Sequence, residues 1–248
     1  MGKQYAEFAY LYDRLMEEVD YRHWCSFIEE LLPNIKKSQV ILELACGTGN
    51  LTLALAERGY KIIGVDISED MLAVAKDKLF GFGYDDILLI QQDIVNLEIN
   101  GFFDNILCAC DGINYIIDTN DLIKMFKKVK NHLSEGGTFL FDISSLYKLK
   151  NTIGNNTFGE NLGDLCYLWE NYFDDENMLV EMDIAFFMQE GSLYRKYEEQ
   201  HIQRAYSEKE IMEALKLAGF NKVIVYGDFK KKPPTNESER LFFMCSGD

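Results

Sequence analysis

The 248-residue sequence predicts an α/β fold, a mainly parallel seven-stranded sheet with an antiparallel last strand, carrying an inserted antiparallel β lid. Three observations predict it. Apolar runs alternate with amphipathic helical periods through residues 40–144, as a parallel sheet with right-handed crossover helices requires. The last two apolar runs, 221–225 and 241–245, are joined by a loop containing Pro233-Pro234 with no helical period between them, which favours an antiparallel hairpin closing the sheet. Between residues 165 and 206 the hydrophobic period shortens to two, with dense Tyr, Phe and Trp.

The elements follow in order. Phe8, Leu11, Tyr12 and Leu15 share one helical face, and Trp24, Phe27, Ile28 and Leu31 share another before Pro33. Residues 1–36 therefore read as an N-terminal helical cover. Most of these positions are core, yet a helix ahead of the first strand can also close a ligand edge, and Tyr5, Tyr12 and Trp24 are the candidates for that.

Val40-Ile-Leu-Glu-Leu44 is a buried strand, followed at once by Ala45-Cys46-Gly47-Thr48-Gly49 and a helix opening at Asn50. Gly47 and Gly49 allow backbone to approach a ligand closely. The helix start behind them offers free N–H groups and partial positive charge, so a carboxylate- or phosphate-bearing ligand is expected. A dinucleotide fingerprint would add a third glycine, but Thr52 stands there, and Glu43 is an acid that fingerprint does not request.

The next strand, 61–66, ends on Asp66, whose carboxylate suits two ribose hydroxyls. Ser68 caps a helix with Glu69 and Asp70 in its first turn and Met71, Leu72, Ala75 and Leu79 along its apolar face. Capping is taken as the whole role of Ser68 to Asp70. A third strand, 87–90, runs into Gln91-Gln92-Asp93-Ile94. Glu43, Asp66 and Asp93 thus follow or end three successive strands on one sheet edge, where doubly wound folds bind ligands.

Strand four, 103–110, leads into Asp111-Gly112-Ile113-Asn114-Tyr115; a helix spans 119–133, and Glu135-Gly136-Gly137 turns the chain into strand five at 138–144. Strands at 165–173, 178–189 and 193–205 make up the insert. Ser207-x-x-Glu210 is a capping box opening a helix that stops at Gly219. In the insert, Arg204 is a candidate substrate contact and His201 is expected at an exposed position.

Composition narrows the function classes. The formal charge of −16 opposes nucleic-acid binding and anionic membranes. No leader and no spanning apolar run are visible. The six cysteines contain no Cys-x-x-Cys and the three histidines have no partner at ligand spacing, so no metal site is expected and a reducing cytoplasm fits. No linker or composition break divides residues 1–248, which read as one domain.

The string Glu-Leu-Ala-Cys-Gly-Thr-Gly resembles the first motif of class I S-adenosylmethionine-dependent methyltransferases. The opening Tyr5-x-x-Phe8-Ala9-x-x-Tyr12-Asp13, then Tyr21-x-x-Trp24, Gly64-Val-Asp-Ile-Ser-Glu-Asp-Met-Leu72, Gln91-Gln-Asp93, Asp111-x-x-Asn114-Tyr115 and Ser238-Glu-Arg-Leu-Phe-Phe243 together resemble the bacterial YqeM-like group of small-molecule methyltransferases, across nearly the whole chain. Ala45-Cys46 stands where glycine is frequent in the wider family, and small residues still permit close approach. The resemblance implies a Rossmann-like methyltransferase fold and S-adenosylmethionine as cofactor. Glu43 and the turn Ala45, Cys46, Gly47, Thr48 and Gly49 would hold its methionine end, Asp66 its ribose and Asp93 its adenine amino group. Ile67, Met71, Gln92, Ile94, Cys110, Tyr12 and Trp24 would complete its contacts. It also places Asp111, Asn114 and Tyr115 beside the transferring methyl group, as candidates for the reaction; Tyr5, Tyr115 and Arg204 are the candidate substrate contacts. The expected activity is methyl transfer to N or O of a small molecule. A non-catalytic cofactor-binding module and a dinucleotide-dependent oxidoreductase are the alternatives. The resemblance names no acceptor, and the sequence leaves oligomeric state open.

Overall fold

A computed structural model describes residues 9, 11–16 and 19–247. The chain order is α1 (Tyr21–Leu31), β1 (Val40–Leu44), α2 (Asn50–Glu57), β2 (Lys61–Asp66), α3 (Glu69–Gly81), β3 (Leu88–Gln91), β4 (Phe103–Cys108), α4 (Thr119–His132), β5 (Leu133–Ser144), β6 (Thr157–Asn161), β7 (Leu165–Asp174), β8 (Leu179–Glu190), β9 (Leu193–Arg204), α5 (Glu208–Ala218), β10 (Val223–Gly227) and β11 (Arg240–Ser246). Residues 11–15 are also helical.

The main sheet has seven strands in the order β10-β11-β5-β4-β1-β2-β3. β11 runs antiparallel to both neighbours, and β5, β4, β1, β2 and β3 pair in parallel. β1 is central because its side chains are apolar on both faces, apart from Glu43. On one face Phe126 of α4 and Leu215 of α5 pack on Phe139, Phe141 and Phe243. On the other, Phe27 and Ile28 of α1 and Leu55 of α2 cover Ile41, Leu140 and Phe242. The capping box at Ser207 and Glu210 is present, and Gly219 ends α5 in the left-handed conformation at φ +93°.

One boundary differs from the sequence reading. β5 begins at Leu133, which pairs with Phe103, before the ladder resumes at Thr138 opposite Asn105. Residues 134–137 bulge between these pairs, with Gly136 at φ +72°.

The insert is an antiparallel sheet of four strands, β6-β7-β8-β9, where the sequence patterning predicts three. β6 escapes notice because it is an edge strand with four of its five residues exposed, held through its backbone ladder to β7 rather than by an alternating apolar face. The insert has its own apolar contacts. Leu149 and Ile153, from a π-helical turn, meet Phe173 and Val180. Leu165, Phe186 and Tyr197 meet Leu11 of the N-terminal segment, with Tyr12 and Met71 against them.

That N-terminal segment is fastened at two points. Arg14 forms a bidentate pair with Asp164 (2.8 and 3.0 Å), and Asp13 pairs with Lys78 at 2.6 Å. A second clamp ties the insert to the main sheet. The Asn114 amide, fully buried, donates to the carbonyls of Ser144 and Arg204 and accepts the Ser144 N–H. Among the described residues no helix is long and apolar enough to cross a membrane.

Candidate functional site

A cavity of about 560 Å³ lies at the ends of β1, β2 and β4 and is bordered by β9 of the insert. That volume is within the range of small-molecule and cofactor sites.

Its first wall is the turn after β1. Ala45, Gly47 and Gly49 all adopt positive φ (+52°, +54° and +75°), which folds the chain back tightly before α2. The Gly47 N–H donates to Asp66 Oδ2 at 2.8 Å, and the Cys46 N–H to the Val65 carbonyl at 3.0 Å, so the turn is locked onto β2. Gly64 makes this approach possible, since a Cβ there would lie 2.8 Å from Leu89 and 3.0 Å from the Cys46 sulfur.

Glu43 forms part of the floor. It is 3% exposed and accepts a 2.7 Å hydrogen bond from Thr52 Oγ1. Burial raises its carboxyl to about 7, against that hydrogen bond and with help from the Asp66 charge. Asp66 accepts N–H groups from Ser68 (2.9 Å) and Gly47, and burial still holds its pKa above the ordinary value. Asp93 accepts from the Val95 N–H at 2.9 Å, which shapes the turn carrying Ile94 into the cavity wall.

The opposite edge is the loop after β4. Cys110 and Asp111 are consecutive non-glycine residues in the left-handed region, at φ +59° and +57°. Such conformations cost roughly 1–3 kcal/mol each and need support. The support is a buried ionic network. Arg240 contacts Asp142 and reaches Asp111 at 2.9 Å, while the Asp111 N–H donates to Asp142 at 3.2 Å. The Arg240 guanidinium also sits 5.2 Å over the Trp24 ring. Burial would raise Asp111, but Arg240 and Lys148 pull its pKa below the ordinary range. Asp142, 1% exposed, is pushed up by burial to about 6.

Of the residues expected at the cofactor, Glu43, Ala45, Cys46, Gly47, Thr48, Asp66, Ile67, Met71, Asp93, Ile94, Cys110 and Tyr12 line the cavity together. Tyr115 lines it also. Other expected residues lie outside this lining. Gly49 does not line the cavity; it is the left-handed cap of α2, pressed so near Ala75 that a Cβ would lie 3.0 Å from that side chain. Gln92 turns back to the Glu98 backbone. Trp24 is 5% exposed and packs edge-on against Phe229 and Phe242 in the core. Asp111 and Asn114 are not in the lining; both hold the loop rather than face the space. Arg204 bonds the Ile117 carbonyl and Glu210 and covers Tyr206, joining β9 to α5. Tyr5 lies outside the described residues.

The structure adds residues the sequence reading passed over. His201, expected at an exposed position, lines the cavity with Glu199, and its ring meets Tyr115 edge-on at 5.9 Å. Ser68 and Asp70 line the cavity as well as serving α3, and Tyr21, Asn50, Asp118 and Asp121 contribute. The period-two pattern of β9 places Tyr197, Glu199, His201 and Gln203 on one face, a signal available in the sequence. The direction of that face was set by packing. Among the described residues the lining contains seven acidic side chains, Glu43, Asp66, Asp70, Asp93, Asp118, Asp121 and Glu199, and no lysine or arginine. No cluster of metal-ligating side chains occurs among the described residues.

Comparison with known proteins agrees with this geometry. Residues 41–137 match a methyltransferase domain family. The chain is 38% identical to YqeM of Bacillus subtilis (strain 168), provisionally named a methyltransferase, over 97% of this chain and 96% of that protein. It is 33% identical to a protein of Geobacillus sp. (strain WCH70), likewise provisionally named, over 97% and 98%. A crystal structure of an S-adenosylmethionine-dependent methyltransferase from Clostridium acetobutylicum ATCC 824 superposes with a TM-score of 0.87 at 42% identity, covering 98% of each chain.

Proposed function

The chain belongs to the S-adenosylmethionine-dependent methyltransferases, and we propose that it transfers the methyl group to a nitrogen or oxygen of a small-molecule acceptor held beneath the inserted sheet. The single observation that carries this reading is one cavity of about 560 Å³ bounded both by the Ala45–Gly49 turn and by β9. Both reactants then share one space.

The lining fits the cofactor by charge and shape. S-adenosylmethionine carries an ammonium and a sulfonium, and among the described residues the cavity offers carboxylates without competing lysine or arginine. In this reading Glu43 and the turn from Ala45 to Thr48 receive the methionine end. Asp66 keeps lone pairs for ribose hydroxyls after accepting the Gly47 and Ser68 N–H groups. Asp93 and Ile94 border the adenine, with Ile67 and Met71 beside it. Cys110 closes the edge nearest Tyr115, and Tyr12 roofs the site from the N-terminal segment.

The cofactor supplies an electrophilic methyl carbon on a sulfonium, and the protein supplies orientation and exclusion of water. Holding two reactants in line is worth roughly 7–11 kcal/mol of barrier. The fastened N-terminal segment and β9 restrict the space in which an acceptor can sit, and Tyr12 and Tyr115 provide flat, hydrogen-bonding walls for it. The net charge of −16 favours a small acceptor over a polynucleotide. All six cysteines are free, which suits a reducing cytoplasm.

Calorimetric titration with S-adenosylhomocysteine tests the cofactor site, and transfer of labelled methyl groups to a metabolite library tests the acceptor. Micromolar binding and a labelled small product are expected. Labelling of RNA or protein with no small-molecule product would overturn the acceptor class.

A further inference from the structure

The wall that β9 contributes carries chemistry of its own. Tyr197, Glu199, His201 and Gln203 alternate on the inward face of this strand; Tyr197 and Gln203 are buried, and Glu199 and His201 reach the cavity. His201 stands edge-on to Tyr115 at 5.9 Å, at the side of the cavity bounded by the loop after β4. Among the described residues β9 is an edge strand with β8 as its ladder neighbour, and Met182 lies opposite His201. Among the described residues, the titratable groups lining this part of the cavity include Tyr115 from the loop and Glu199 on the same strand, with Asp118 and Asp121 in the same lining.

We infer that the acceptor is an aliphatic amine that enters as its ammonium, that Glu199 attracts this ammonium, and that His201 takes its proton before methyl transfer. The inference rests on the methyltransferase reading of the cavity and names the acceptor class and proton acceptor within it.

The chemistry balances. Neutral His201 accepts one proton from R–NH3⁺ and leaves R–NH2 with a free lone pair. That lone pair attacks the methyl carbon as the carbon–sulfur bond breaks, and the bonding electrons go to sulfur. The products are R–NH2–CH3⁺ and neutral S-adenosylhomocysteine, and His201 returns its proton to water. An ammonium has no lone pair, so the step requires a proton acceptor within reach, and His201 is the histidine lining this cavity. Burial lowers its pKa below the ordinary 6.5, which keeps the ring neutral and able to accept at pH 7. Burial acts oppositely on Glu199 and raises its carboxyl. A cation beside it favours the ionised form.

The test uses the intact protein saturated with S-adenosylhomocysteine, whose own binding is measured first by calorimetry. Failure of that binding counts against the cofactor site, and the amine inference is read from separate signals. The chain has three histidines, so ring resonances of labelled histidine are assignable with single variants. Probes are n-butylamine, cyclohexylamine and benzylamine, each against its matched alcohol. The amines should shift the His201 resonances and the alcohols should not. Amine affinity should fall about tenfold or more as His201 is protonated in acid, because a cation then faces a cation. His201→Asn should shrink that fall to the part carried by protonation of Glu199, while keeping the S-adenosylhomocysteine affinity. Glu199→Gln should weaken amine binding about tenfold, in keeping with a lost charge-assisted contact. Equal shifts from amines and alcohols, no shift from any amine, or an unchanged pH dependence in His201→Asn would each overturn the inference.

Discussion

The proposed place of Glu43 at the methionine end of the cofactor predicts that cofactor binding releases protons. The carboxyl is buried at 3% exposure beneath the turn, with Thr52 Oγ1 as its hydrogen-bond donor, and burial raises it to about 7 in the free protein. In the proposed site the ligand's ammonium lies beside it, so the ionised form should gain a partner and the pKa should fall. A group of pKa about 7 is about 90% protonated at pH 6, about half at pH 7 and about 10% at pH 8, so binding should release about 0.9, 0.5 and 0.1 proton respectively. By the same linkage, affinity should rise about tenfold between pH 6 and pH 8. Calorimetry of S-adenosylhomocysteine in phosphate and in Tris reads the proton number from the dependence of enthalpy on buffer ionisation. Glu43→Gln should remove the buffer dependence. A flat buffer response in the unmodified protein at pH 6, or an identical one in Glu43→Gln, would refute the reasoning. The ligand-free protein should show the counterpart in stability. Because the folded-state pKa is raised, the contribution is present below about 4.5 and is lost as pH rises through about 7, by up to about 3 kcal/mol.

Other substitutions have outcomes that follow from the same geometry. Asp66→Ala removes the acceptor of the Gly47 and Ser68 N–H groups as well as the proposed ribose contact, and should weaken S-adenosylhomocysteine by about tenfold or more in calorimetry of the folded variant; unchanged affinity would remove Asp66 from the site. Gly112→Ala would put a Cβ 2.8 Å from Ala45 Cβ and 3.2 Å from the Cys108 sulfur, a loss of about 1–3 kcal/mol in denaturant unfolding, and Ala45→Gly in the same chain should recover part of it. Arg240→Leu leaves Asp142 buried without its cation, which should cost about 3–5 kcal/mol and lower Tm by about 10 °C. That loss should be smaller at pH 5 than at pH 8, since Asp142 neutralises by taking a proton; equal losses would show that its charge is not the cause.

The strand–turn–helix at residues 40–57, the acid ending β2 and the capping box at Ser207 were legible in the sequence because each is a local pattern. Strand burial, positive φ at Gly47 and Gly49, and helix capping depend on residues within a few positions of one another. The period-two pattern of the insert was legible for the same reason, but β6 was not, since its place comes from backbone pairing with β7 and leaves no apolar alternation. Side-chain destinations belonged to the tertiary structure. Trp24 has the composition of a ligand wall but is taken into the core by Phe229, Phe242 and Arg240, residues more than two hundred positions away. Asn114 looked like a cleft residue and became a clamp, because Ser144 and Arg204 bring backbone groups to it that no local rule foresees. His201 moved the other way. The alternation of β9 put it on one of two faces, and only the docking of that sheet over the β1 turn decided that its face was the cavity. A sheet's period is a property of its own sequence, but which side meets a ligand is settled by what the sheet packs against.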